Sequence, residues 1–68
     1  MIIWVMDYCS GDVLRINPLP QTREEIGNKY DDCVGDWLED HEEELGIRMK
    51  DCTYMVTNDD KEYRSIHI

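Results

Sequence analysis

The chain has no phenylalanine, two prolines, four glycines, and seven Lys and Arg against sixteen Asp and Glu. The shortage of base excludes most. DNA, RNA and anionic membranes are held through Lys and Arg on phosphate, and a formal net charge of −9 opposes all three. The electrostatically favoured partner is a basic protein surface. Long hydrophobic runs are also missing. Met1 to Met6 is apolar but too short to span a membrane or to form a signal-peptide core, and no Lys or Arg precedes it; a cytoplasmic location is expected. The three cysteines, Cys9, Cys33 and Cys52, form an odd set without a CxxC pair. That argues against a disulfide-stapled secreted domain and for free thiols in a reducing compartment. A P-loop, a dinucleotide fingerprint and an EF-hand spacing are absent as well, so no cofactor and no metal are expected.

What remains is a foldable composition, 41% apolar and 34% charged, without repeats or linkers. Sixty-eight residues suit one small domain, 1–68, with a single core. The chain divides into three blocks: a hairpin over 1–21, a helix over 22–46 and a second hairpin over 47–68. Ile2 to Cys9 is rich in β-branched and aromatic residues, Ser10-Gly11-Asp12 is a turn signal, and Val13 to Asn17 is the return strand, ended by Pro18 and Pro20. A three-residue loop sets Asp7 opposite Arg15 and groups Trp4, Met6, Tyr8, Leu14 and Ile16 on the core face. A two-residue loop groups Val5, Asp7, Leu14 and Ile16 instead. Burying an unpaired carboxylate is costly, so the first register is expected. It leaves Ile3, Val5 and Val13 on the other face as an association face for a homodimer.

Thr22-Arg23-Glu24-Glu25 reads as a capping box. Ile26, Tyr30, Cys33, Val34, Trp37, Leu38, His41 and Leu45 follow at spacings of three and four, and Gly46 is a natural stop. A helix of about 23 residues, roughly 34 Å long, is predicted to cross one face of the sheet. Cys52 to Thr57 and Glu62 to Ile68 read as strands. The expected fold is α+β, ββαββ, a four-stranded antiparallel sheet of order 2-1-3-4 with one amphipathic helix on one face.

The helix concentrates the charge. Residues 23–45 hold ten acids and two bases, which is −8 of the net −9. On a continuous helix Glu25, Asp32, Asp36, Glu39 and Glu43 form an acidic ridge opposite the apolar arc. Such a ridge weakens the fold through repulsion at i,i+3 and i,i+4, so it reads as a partner-binding face. His41 reads as a core histidine; Cys33 lies about 12 Å along the axis from it, too far for a shared zinc. The expected function is therefore a small non-catalytic binding module, not an enzyme, whose ridge engages a basic protein and inhibits or regulates a nucleic-acid-handling protein. The alternative is a self-associating structural domain. In overall charge the chain resembles small acidic proteins that mimic nucleic acid and inhibit nucleic-acid enzymes, some of them from phages and mobile elements. The resemblance rests on composition and on no motif.

Overall fold

A computed structural model of the protein describes residues 1–58 and Ile66. The most apolar run becomes the central strand, β1 (Ile2–Asp7). On one side it pairs with β2 (Val13–Ile16), on the other with β3 (Cys52–Thr57). Both pairings are antiparallel and the order is β2-β1-β3. This matches the first three places of the expected sheet. The expected fourth strand, Glu62 to Ile68, falls almost wholly outside the described residues, and the ββαββ order with it.

The hairpin register differs from the expected one. Ile3 faces Ile16, Trp4 faces Arg15, Val5 faces Leu14 and Met6 faces Val13. Ile3, Val5, Leu14 and Ile16 thus share the core face, and Trp4 and Met6 point outward. Asp7 explains the difference. It lies on the core side, but at the rim, and its Oδ1 accepts the N–H groups of Cys9 at 2.9 Å and Ser10 at 3.3 Å. The carboxylate caps the turn instead of entering the core unpaired. Asp7 N–H also donates to the Asp12 carbonyl, and Gly11 N–H to the Asp7 carbonyl, each at 2.9 Å. Gly11, at φ +76°, closes this longer loop in a conformation that strains most side chains.

The single long helix is replaced by three shorter ones: α1 (Pro20–Lys29), α2 (Val34–Asp40) and α3 (Glu42–Leu45). The start is earlier than the capping box implied. Pro20 fills the first helical position, where its fixed φ and missing N–H cost nothing; Leu19 is the cap, with no side-chain hydrogen bond. Thr22 is therefore inside the helix. The first break falls at Asp31 and Asp32, both left-handed at φ +51° and +62°, a region Asp tolerates better than most residues. The Ile26 carbonyl accepts from Tyr30 and Asp32 together, at 3.2 and 3.0 Å. At the second break the His41 ring Nδ1 donates to the Trp37 carbonyl at 2.7 Å, while His41 N–H goes to Leu38 at 3.1 Å. The side chain takes the carbonyl that the α-helical ladder would have used. After Leu45 the left-handed Gly46 ends α3, and a 3₁₀ turn (Met49–Asp51) leads into β3.

The breaks have a packing reason. A six-residue strand is about 20 Å long, so a straight helix of ~34 Å would overhang it. Broken, the segment brings Ile26 of α1 and Val34, Trp37 and Leu38 of α2 into one core with Ile3, Val5 and Ile47. Ile3, Val5 and Leu38 have no exposed surface. Tyr54 of β3 packs on α2 at Gly35, where an added Cβ would sit 2.9 Å from the Tyr54 hydroxyl and 3.3 Å from its ring.

Gly35 and Tyr54 are thus coupled. In a Tyr54→Ala background, Gly35→Ala is expected to stabilise the protein by up to about 1 kcal/mol, the helix-propensity gain. In the parent, the same change displaces the Tyr54 ring and loses most of that gain. Urea melts of the four variants measure the coupling; equal effects in both backgrounds would refute the contact.

Candidate functional site

The sequence singled out five carboxylates, and the fold distributes them over four segments. Asp36 and Glu39 lie on α2 and Glu43 on α3; all three are exposed. Asp36 and Glu39 are neighbours at i,i+3 on α2, and the His41 break lies between Glu39 and Glu43. Asp32 is exposed in the left-handed turn before α2, and Glu25 is half-buried on α1. The unbroken ridge on one helix is therefore corrected: its five carboxylates are divided among α1, the turn before α2, α2 and α3. Asp40 and Glu44 are exposed on the same stretch.

The break also moves Glu42, Glu43 and Glu44 relative to the helix ends. On one long helix Glu42, Glu43 and Glu44 would oppose the C-terminal end of the dipole. They instead form the first turn of α3, an end where acids are favoured. Glu42 has a structural bond as well: its Oε1 accepts Met49 N–H at 3.0 Å. Of the two bases in this region, Arg23 is turned toward the hairpin. Its Nε donates to the Pro18 carbonyl at 3.1 Å and its Nη2 to Asn17 Oδ1 at 3.2 Å.

At the second break four side chains form one cluster. The His41 ring stacks on Trp37 with centroids 4.6 Å apart and meets Tyr30 edge-on at 6.5 Å. The Tyr30 hydroxyl donates to Asp40 Oδ2 at 2.9 Å. This bond, the partial burial of the phenol and the nearby charges of Asp40 and Glu25 push the Tyr30 pKa above 10.0. Trp37 Nε1 is buried without a hydrogen-bond partner among the described residues. His41 is thus committed to its own helix turn. Cys9 and Cys33 are exposed and Cys52 is half-buried; all three are free thiols. Burial, then the charge of Asp7 opposite it, raises the Cys52 pKa above 9.0. Among the described residues no group of three or more His, Cys, Asp or Glu is placed to hold a metal ion, and no helix is long and apolar enough to cross a membrane.

The expected association face is not one surface. Ile3 and Val5 are fully buried beneath the helices, and Val13 stands exposed on the opposite side of the sheet. The outward side carries Trp4, Met6, Val13, Arg15 and Met55, with Met6, Val13 and Met55 exposed. The sequence reading missed the outward placement of Trp4 and Met6 because it assigned the wrong register. The available signal was Asp7 itself, an acid at the mouth of a Ser-Gly turn and therefore a turn-capping residue.

No protein-family model, no curated protein and no solved structure matches this chain. The arrangement of its own side chains therefore carries the functional argument.

Two measurements test the local chemistry. With a thiol reagent at neutral pH, Cys9 and Cys33 are expected to label first and Cys52 last, because Cys52 holds less thiolate and is partly shielded. Simultaneous labelling in the folded state would contradict this order. In an alkaline titration followed by phenolate absorbance, Tyr30 is expected to ionise above its ordinary value. The native state then holds the Tyr30 proton more tightly than the unfolded chain does. The associated stability is complete below pH ~10 and is lost as pH rises through the raised value. Tyr30→Phe is expected to remove the late-ionising component.

Proposed function

We propose that the protein is a small non-catalytic binding module that presents the carboxylates of α2 and α3 to a basic protein surface, as an inhibitor or regulator of a nucleic-acid-handling protein. The observation that carries this reading is the concentration of exposed charge. Asp36, Glu39 and Glu43 line the outer side of two short helices, within a region that holds −8 of the net −9. Arg23, which could have neutralised part of it, is bonded to Pro18 and Asn17 instead. Crowded carboxylates weaken a helix by a few tenths of a kcal/mol per close pair. They also steer a cationic partner and raise its association rate. Glu25 and Asp32 flank the docking face in this reading. Direct binding to nucleic acid or to an anionic membrane is opposed by the same charge.

A second reading, a self-associating domain, is favoured by the exposure of Met6, Val13 and Met55 on the outward side of the sheet.

The triple change Asp36→Gln, Glu39→Gln and Glu43→Gln tests the first reading. Asp32 is left in place because its left-handed backbone disfavours Gln. The variant is expected to melt at the same temperature or slightly higher. Its capture of host proteins at low salt is expected to vanish, and parent capture to weaken as salt rises. Undiminished, salt-insensitive capture by a folded variant would sink the docking reading.

A further inference from the structure

The outward side of the sheet differs in chemistry from the rest of the molecule. Its strand positions are Ile2, Trp4 and Met6 of β1, Val13 and Arg15 of β2, and Thr53, Met55 and Thr57 of β3. Among the described residues, none of these positions is acidic, in a chain with sixteen acids. Val13 is 64% exposed, Met55 56% and Met6 43%, so the open part of the face lies toward the turn end of β1; Ile2 at the other end is buried. Trp4 lies on the same side: its Nε1 donates to Thr57 Oγ1 at 3.0 Å, and the Arg15 guanidinium lies 5.9 Å from its ring centre. The helices, with nearly all the negative charge, pack on the opposite side over Ile3 and Val5, while Tyr54 and Val56 of β3 stay part-exposed there.

The geometry points to a second copy of this chain as the occupant of the outward face, joined sheet to sheet about a two-fold axis. Charge selects this arrangement. Two molecules of net charge −9 repel through any contact that brings their helices together. Packed by their sheets, about 10 Å apart, they hold the two acidic layers on the far outside. With a helix layer roughly 10 Å thick on each, the carboxylates of the two copies are about 30 Å apart, several times the Debye length of ~8 Å at physiological salt. The strand positions that meet are mainly apolar, with Arg15, Thr53 and Thr57 among them, and include no acid among the described residues. A two-fold axis sets the same patch against itself, so Val13, Met6 and Met55 of one copy meet those of the other. The sheet measures about 20 by 14 Å, small beside the ~800 Å² per partner of a standard interface; the dimer is accordingly weak and forms at high micromolar concentration. This inference rests on the self-association reading and is independent of docking by α2 and α3.

Sedimentation equilibrium of the full chain, over a concentration series and at two salt concentrations, is the test. The expected result is a rise from monomer to dimer mass, favoured by added salt because salt screens the residual repulsion. Val13→Glu and Met55→Glu, two exposed positions on different strands, are each expected to weaken association at least tenfold, with unchanged circular dichroism. Glu39→Gln is expected to leave it intact or strengthen it. A monomer at every concentration and at both salts would overturn the inference and the self-association reading together. A dimer indifferent to both Glu variants would overturn the proposed face while leaving self-association in place. Trp4 emission shielded from solvent in the dilute monomer, read in a Trp37→Phe background, would assign the face to the chain's own cover and overturn the inference as well.

Discussion

Ile3 and Val5, side by side on the core face of β1 and without exposed surface, are the constraint to which the other elements answer. The central strand offers the helices only these two deep positions, with Leu14 and Ile16 beside them. A chain this small gains little stability from any single contact, so every large apolar side chain of the helical region has to reach the same short patch. A straight helix could not bring both Ile26 and Leu38 there. The chain turns at Asp31 and Asp32 and again at His41, and both reach it. The same requirement draws β3 against β1 from a distant part of the sequence and places Tyr54 against the helical backbone at Gly35.

Much of this was legible in the residues. The α+β class, the strands at Ile2, Val13 and Cys52, and the neighbours of β1 follow from apolar runs and turn residues. The apolar periodicity correctly named Ile26, Val34, Trp37 and Leu38 as core. The interruptions were not legible, because periodicity reports which face is apolar and is silent about where the axis bends. At Asp31-Asp32 the sign was two adjacent residues that tolerate positive φ. At His41 the break depends on a ring nitrogen taking a backbone carbonyl, a choice that the stacking on Trp37 fixes and that exists only once the turn has formed. The register failed for a related reason. A carboxylate in an apolar column was taken as a penalty, when a short acid at a turn mouth partners its own backbone.

The charge cluster was legible as a segment but not as a surface. Ten acids in a stretch of helix-forming residues announce themselves in any count. Their grouping depends on the bends, which separate Glu25 and Asp32 from Asp36, Glu39 and Glu43. The bends also place Glu42 to Glu44 at a helix start, where they are better tolerated. The molecule therefore carries its negative charge at less internal cost than a single helix would have imposed. The two sides of the sheet end up chemically different: one carries the acidic helical layer over Ile3 and Val5, the other carries mainly apolar side chains and no acid among the described residues.

The pairing of Ile2 with Thr57 has a consequence in time as well as in space. Contacts between residues this far apart form slowly, because the intervening chain must be ordered or looped before they are rewarded. During synthesis the first hairpin emerges well before β3, and β1 then has one open edge. A strand rich in isoleucine, valine and tryptophan with a free edge is a template for pairing with other chains. The helical segment leaves the ribosome next and carries the bulk of the negative charge. Like charge of that size opposes the approach of other copies while β1 still has an open edge.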